Sequence, residues 1–328
     1  MSDIARLAGV SVGSVSRALN GSPEIGEETR QRIVELARSL NYTVNVGARN
    51  LRRGHNRTIA VIAPFLPSDT QRLTDPFLWG LIGAIAEELT ANGYQMLLYR
   101  MDSTKMEIAD PVETGAAAGL IVTGQWLSHD KANALAIARV PFAMWGAERP
   151  RQLYCTVSSD NLFGGRCATE HLLGLGKRRI AFVGDTRTDE IRLRHEGYLA
   201  AHRAHGVAPD PRLELHSMFD NVVLRRELTE LLDADIGFDA VFAAGDMAAI
   251  EVMRLLQKRG RRIPEDVSVV GYDDIAVADL VTPALTTVRQ PLADAGKALV
   301  DAVMSQIQEK TVAPRVLSTS LVVRSSTA

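Results

Sequence analysis

From Thr58 onward, short apolar runs alternate with longer stretches of helical periodicity, and this rhythm limits what the chain can fold into. The run Ile59-Ala-Val-Ile-Ala63 is apolar on both faces and stops at Pro64, as a strand buried in a parallel sheet does. A helical stretch over 76–92 follows, closed by Gly93. Strand-like runs recur at 95–99, 119–122, 142–145, 179–183, 240–243 and 267–270. Strands alternating with helices imply parallel sheets joined by right-handed crossovers. About 270 residues is too long for one such sheet and suits two lobes.

The first 57 residues have another texture. Ile4, Leu7 and Ala8 set a helical repeat over 3–9, with Ser2 as its N-cap and Gly9 as its stop. Ser11 caps a second helix to about residue 19, with Val12, Val15, Ala18 and Leu19 on the repeat and Asn20-Gly21 ending it. Glu27-Glu28 open a third, where acids suit the positive end of the helix dipole. Its inward stripe is Ile33, Leu36, Ala37 and Leu40. Two short helices around a tight Gly-Val-Ser turn, with a third behind, make a helix-turn-helix. The outer face of the second helix carries Ser11, Gly13, Ser14, Ser16 and Arg17. Small side chains let a helix lie deep in the major groove, where Arg17 reaches a guanine edge or a phosphate. A plain three-helix scaffold with a solvated face is the competing reading.

Charge leans the same way. Residues 1–57 hold nine arginines against five acids, a net +4, while the remainder carries −6 of the overall −2. A basic head on a mildly acidic body points to a polyanionic partner for the head alone. The composition, 46% hydrophobic and 23% charged, excludes fibrous and wholly disordered classes. No stretch reaches the ~18 apolar residues that span a bilayer. Asp3, Arg6 and Arg17 break any leader-like apolar core in the first twenty residues, so no signal peptide is expected. Two cysteines, Cys155 and Cys167, make no disulfide framework and fit a reducing cytoplasm. Cys167 is read as a small core residue.

The body shows no dinucleotide or phosphate loop, no nucleophile elbow and no zinc-protease motif. His171, His195, His202, His205 and His216 lack metal-ligand spacing and are read as surface or helix-cap residues. No enzyme, metal or cofactor is expected.

Two sets of motifs carry a resemblance. The segment from Asp3 to Gly21, then Glu28-Thr-Arg-Gln-Arg-Ile-Val34, Leu40-Asn-Tyr42 and Asn45-Val-Gly-Ala-Arg-Asn-Leu-Arg-Arg-Gly54, resembles the headpiece of the lactose-repressor (LacI/GalR) family of bacterial transcription regulators. In the body, Ser159-Asp-Asn-Leu-Phe-Gly-Gly-Arg166, Gly176-Lys-Arg-Arg-Ile-Ala-Phe-Val-Gly184, Arg194-His-Glu-Gly-Tyr198, Ala243-Ala-Gly-Asp-Met-Ala-Ala-Ile250, Ile263-Pro-Glu-Asp-Val-Ser-Val-Val-Gly-Tyr-Asp-Asp274 and Leu285-Thr-Thr-Val-Arg-Gln-Pro291 resemble that family's effector module. The resemblance implies an all-α helix-turn-helix headpiece (1–44), a hinge helix and linker (45–57), and an α/β two-lobed, periplasmic-binding-protein-like (type I) effector domain with parallel sheets (58–328). The N-lobe would be 58–157 with 291–318, and the C-lobe 158–290 with 319–328.

The resemblance also implies roles. Ser11, Val12, Gly13, Ser16 and Arg17 would face bases and backbone in the major groove, with Val12 on a thymine methyl. Asn20 and Tyr42 would hold phosphates. In the hinge, Leu51 would wedge into the minor groove between Arg49 and Arg52, while Ala48 lets two hinge helices approach closely. The effector positions are Phe77, Thr123, Arg194, Phe219, Asp246, Asp273 and Gln290, a set that suits a polyol, with carboxylates for hydroxyl pairs and aromatic rings for C–H faces. Asp246 stands where many relatives have Asn, and Gly26 where a Ser usually caps the third helix. Trp126 and Trp145 follow strands and are sugar platforms or core aromatics. Asp75 is a ligand contact or the cap of the helix that Pro76 opens.

The expected function is a cytoplasmic repressor, a homodimer on a pseudo-palindromic operator, controlled by a sugar or sugar derivative between the lobes. The chain ends soon after its last strand with no heptad tail, which favours a dimer over a tail-assembled tetramer. A purine-type, corepressor-dependent regulator is the alternative within the class. A solute-binding transport protein is the alternative outside it, opposed by the basic head.

Overall fold

The structure, a computed structural model, describes residues 2–19, 22, 24–40, 56–65, 74–102, 108–125, 128–217, 221–234 and 236–327. It divides into two compact units, Met1–Asn56 and Arg57–Ala328.

In the first unit, helices α1 (Ser2–Ala8), α2 (Val12–Leu19) and α3 (Glu27–Ser39) close around Ile4, Ala5, Ala8, Val15, Ala18, Ile33 and Ala37. Gly9, at φ +65°, turns the chain out of α1, and the Val10 amide donates back to the Ala5 carbonyl at 3.0 Å. Ser11 caps α2, its Oγ accepting from the Ser14 amide at 3.0 Å. Arg32 reaches from α3 to the Ala8 carbonyl at 2.9 Å, satisfying an orphan acceptor at the end of α1. Three expectations give way. Ser2 lies inside α1 rather than capping it. Leu7 is 53% exposed and Leu40 46% exposed, because α1 turns Ala5 inward and α3 has ended before Leu40.

The second unit has two six-stranded sheets. The first holds β1 (Thr58–Phe65), β2 (Gln95–Asp102), β3 (Gly119–Thr123), β4 (Phe142–Trp145), β5 (Cys155–Ser159) and β11 (Arg315–Leu317), in the order β11-β5-β4-β3-β1-β2 and all parallel. The second holds β6 (Ile180–Val183), β7 (Glu214–Leu215), β8 (Ala240–Ala243), β9 (Ser268–Asp273), β10 (Thr286–Arg289) and β12 (Ser320–Val322), in the order β12-β10-β9-β8-β6-β7. Here β12 runs antiparallel to β10, an exception to the expected parallel sheets. Only Ser318 and Thr319 separate β11 in the first sheet from β12 in the second.

The chain passes between sheets after β5, after β10 and again between β11 and β12. β5 runs to Ser159, past the crossing expected near Ser158. β3, β4, β6 and β8 are buried along their whole lengths, which is why they read as unbroken apolar runs. Helices cover them: α4 (Pro76–Ala91), α5 (Asp110–Glu113), α6 (His129–Ile137) and α11 (Leu292–Ile307) on the first sheet's side, α7 (Asn161–Gly174), α8 (Asp189–Ala204), α9 (Asn221–Asp233) and α10 (Asp246–Lys258) on the second's.

α7 and α8 pack against each other with backbones almost in contact. A Cβ on Gly165 would lie 2.1 Å from the Arg194 carbonyl oxygen, and one on Gly197 would lie 2.3 Å from that of Leu162. Only glycine admits this approach.

The histidines of α8 are not surface groups. His202 is fully buried, its Nδ1 on the Tyr198 carbonyl at 3.0 Å, and burial holds its pKa below the usual range. His195 lies between the rings of Phe182 and Tyr198, with Nε2 3.1 Å from the Glu214 carboxylate. Cys155 is buried, which pushes its thiol up to about 11, whereas Cys167 is half-buried rather than a core residue. Among the described residues, no three His, Cys, Asp or Glu are placed to hold a metal ion. No described helix is long and apolar enough to cross a membrane.

Candidate DNA-reading helix and interlobe cleft

The amphipathic pattern of α2 sorts its residues cleanly. Val15 and Ala18 point into the three-helix core, while Ser11, Val12, Gly13 and Arg17 are exposed and Ser16 is half-buried. Val12, on the inward repeat by sequence, is 47% exposed at the first turn of the helix. An apolar side chain there adds nothing to the core and is available to a thymine methyl. The Ser11 hydroxyl is already engaged as the cap and lies 3.0 Å from Ser14 Oγ. Arg17 pairs with Glu24 at 3.4 Å, both side chains mostly in solvent, a contact a phosphate or guanine would displace at little cost. Asn20, Tyr42, Ala48, Arg49, Leu51 and Arg52 lie outside the described residues.

In the second unit, the ends of β5, β9 and β10 are tied together through Ser159, Gln290 and Asp273, and open α/β folds bind ligands outside the C-terminal ends of their strands. Arg194 is the centre of charge there and is only 6% exposed. The tight α7–α8 packing brings Arg194 against Asn161, whose Oδ1 accepts from Nε at 2.8 Å. The guanidinium also donates to the Ala244 carbonyl, lies 3.7 Å above the Tyr272 ring and stands 3.9 Å from Asp273 Oδ1. Asp273, at φ +124°, closes β9 and accepts from Gln290 Nε2 at 2.7 Å. Gln290 in turn accepts from Ser159 Oγ at 2.5 Å, so one amide ties together the two crossings after β5 and β10. Burial holds the Asp273 carboxyl well above the usual carboxylate range. Arg194 opposes that shift, while Asp246 and Asp75 add to it.

The structure corrects the reading of Asp246. It lies beneath the cleft rather than in its wall, with 0% exposure. Its Oδ1 accepts from Thr287 Oγ1 at 2.5 Å and its Oδ2 from the Ile275 amide at 2.9 Å. Burial pushes its pKa up to about 7. It fastens the 273–275 turn to β10, and neither of its oxygens is exposed to a ligand. Thr123 is buried as well, its hydroxyl donating to the Ile62 carbonyl at 3.1 Å.

The N-lobe supplies aromatic surface. Phe77, in the first turn of α4, packs on the cores of both lobes, and its ring lies 6.1 Å from that of Trp145 at 48°. Trp145 is buried at the end of β4, which favours the core aromatic over the open platform. Asp75 caps α4, accepting from the Leu78 amide at 3.0 Å. Of the two sequence readings of Asp75, the helix cap is the one the structure shows. Phe219 and Trp126 lie outside the described residues.

Sequence reasoning missed the start of α8. Arg149, in the β4–β5 loop, donates to Asp189 across the lobes at 2.6 Å. The half-buried Glu190 beside it is raised above its usual range by burial, with Arg194 and Arg149 pulling the other way. A pair of acids opening a helix reads as a dipole match and gives no sign of an interlobe contact.

Known proteins resemble both units of the chain. A family model described as "Bacterial regulatory proteins, lacI family" matches residues 1–45, and one described as "Periplasmic binding protein-like domain" matches residues 169–327. The HTH-type transcriptional regulator CelR of Thermobifida fusca is 33% identical over 334 residues, covering 98% of this chain and 96% of CelR. The HTH-type transcriptional repressor CytR of Escherichia coli is 28% identical over 333 residues, covering 100% and 96%. Among solved structures, a CelR–cellobiose complex matches with a TM-score of 0.70 at 31% identity over 98% of both chains. The lac repressor dimer bound to operator and the anti-inducer ONPF matches with a TM-score of 0.86 at 25% identity, over 99% of this chain and 98% of that one. Headpiece, two-lobed body and full-length similarity together show that the chain belongs to the lacI family of bacterial regulatory proteins and is a DNA-binding transcriptional regulator.

Proposed function

We propose that this regulator is a cytoplasmic repressor with no enzymatic activity, whose affinity for a pseudo-palindromic operator is set by a sugar or sugar derivative held between the lobes of residues 58–328. Two headpieces of a homodimer bind the two half-sites, with Val12 and Arg17 reading bases past the small Gly13. The hinge of residues 45–57 carries the Leu51 wedge between Arg49 and Arg52, and Asn20 and Tyr42 hold phosphates. The observation that carries the effector reading is the buried junction of Arg194, Asp273 and Gln290. It sets a guanidinium donor fork beside a carboxylate and an amide, groups that complement vicinal hydroxyls. Relatives support it: CelR is described in complex with cellobiose, and a lacI-family regulator from Enterococcus faecium with bound ribose. No observation favours the purine alternative, since Phe77 already leans on Trp145.

Calorimetric titration of the full chain with neutral mono- and disaccharides and with purines tests the reading. Saturable binding of a sugar, lost in Arg194→Ala, is the expected result. Purine binding with no sugar response would replace it with the corepressor reading.

A further inference from the structure

Two aspartates stand in a row at the end of β9, and the effector reading uses only the first. Asp273 and Asp274 both have positive φ, +124° and +58°. Residues other than glycine keep such conformations where the surrounding structure over-determines them. The double turn sends the two carboxyls to different partners. Asp273 Oδ1 accepts from Gln290 Nε2 at 2.7 Å and stands 3.9 Å from Arg194. Asp274 has a separate arginine on each oxygen: Oδ1 accepts from Arg324 Nη2 at 2.7 Å and Oδ2 from Arg289 Nε at 2.6 Å. The next amide, that of Ile275, donates to Asp246 Oδ2 at 2.9 Å. The two arginines are not equal. The Arg289 side chain is 55% exposed, where water competes for an ion pair and leaves little net gain. The side chains of Arg324 and Asp274 are 16% and 8% exposed. Arg324 is itself held, its amide donating to Thr286 Oγ1 and its Nη1 to the Leu285 carbonyl, both at 2.8 Å. Its Nε stands 3.2 Å from the exposed Asp279.

We propose that the Arg324–Asp274 pair is the positioning clamp of the effector site: it fixes the left-handed 273–274 turn so that the Asp273 carboxyl faces Gln290 and Arg194. The inference rests on the reading of the cleft as the effector site. Asp274 and Arg324 do not touch the effector; they act through Asp273. The two aspartates share one rigid peptide plane, so a turn freed from its clamp relaxes toward ordinary φ and swings the Asp273 carboxyl with it. Arg324, arriving from the segment after β12, thereby ties the end of the chain to the recognition of the ligand.

Two measurements on the full chain test the clamp. Calorimetry with D-glucose, D-ribose and cellobiose reads binding, and backbone hydrogen exchange reads the turn with no ligand present. Asp274→Asn and Arg324→Met are each expected to weaken binding of whichever sugar binds by at least tenfold. Arg324→Lys, which keeps the charge, should recover most of that loss, and Arg289→Met should cost less than threefold. A double-mutant cycle separates positioning from a general effect on the fold. In an Asp273→Asn background, Asp274→Asn should cost less than threefold more, because the carboxyl it positions is already gone. The same tenfold loss in both backgrounds overturns the clamp, as does unchanged affinity in both single variants. Without ligand, exchange at the Ile275 amide should rise at least tenfold in Arg324→Met while the β8 amides keep their parent rates. Unchanged exchange at Ile275 overturns the clamp whether or not a sugar binds. Failure of all three sugars to bind the parent chain would count against the effector reading instead, with the clamp then judged on exchange alone.

Discussion

Asp246 has both carboxylate oxygens hydrogen-bonded and no exposure, so its ionised form lacks, in the native state, the water that two hydrogen bonds replace only in part. Its pKa near 7 stands against an ordinary 3.8. Between those values the folded chain keeps a proton that the unfolded chain has released. The native state binds more protons there, so stability is greatest below the lower value and falls as pH rises toward the upper one. In Asp246→Asn that dependence should flatten: on going from pH 5 to pH 7.5 the thermal midpoint should drop less than in the parent chain. Asp273, also raised by burial, leaves a residual slope. Equal drops in the two proteins would show that Asp246 ionises freely. The sequence placed this residue at the cleft by its motif. What it hid is that Thr287 and Ile275, 41 and 29 residues further on, occupy both oxygens.

At the scale of elements, α7 and α8 decide where Arg194 stands. Gly197→Ala puts a methyl 2.3 Å from the Leu162 carbonyl and 2.5 Å from the Arg166 amide, so the helices must part. Overpacking of this kind costs roughly 1–3 kcal/mol, which urea unfolding would register as a lower midpoint. Effector affinity should fall at least tenfold with it, because Arg194 is one turn away on the same helix. An unchanged midpoint would mean the helices have room to slide. In the headpiece, Ile33 is the largest fully buried side chain of α3 among four small core alanines, Ala5, Ala8, Ala18 and Ala37. Ile33→Ala should cost roughly 2–5 kcal/mol. Operator binding should disappear while circular dichroism shows the larger unit still folding; retained operator binding would show that α3 does not hold the reading helix in place.

These elements were legible unevenly. The apolar runs of β1, β3, β4, β6 and β8 announce buried strands, and Pro76 and Gly93 bracket α4. β5 escaped because Cys-Thr-Val-Ser-Ser is small and mostly polar, yet every one of its residues is buried. β12 is three residues long and owes its place to pairing with β10 rather than to any periodicity of its own. The interlobe pair Arg149–Asp189 joins residues 40 apart in sequence, which no local pattern reveals.

At the scale of the whole molecule, the proposed effector acts from the larger unit on the DNA affinity of the headpiece. The exposed face of α2 carries mostly small side chains, so in the proposed function the Leu51 wedge supplies much of the discrimination between operator and random DNA. In Leu51→Ala, operator affinity should fall far more than affinity for random duplex, since the phosphate contacts behind non-specific binding are untouched. Equal losses on both DNAs would remove the wedge from the account. Coupling between distinct sites of this kind is usually about 1–3 kcal/mol, or roughly 5- to 150-fold in affinity.

The most direct measurement is operator affinity with and without a saturating sugar. It uses the full chain, a labelled duplex selected from a random pool, and the sugar that calorimetry identifies. The sugar is expected to shift operator affinity by at least fivefold in the parent chain, and the shift is expected to vanish in Arg194→Ala while sugar-free operator binding stays within twofold. A shift that survives in Arg194→Ala, or a bound sugar that leaves operator affinity unchanged, would contradict it.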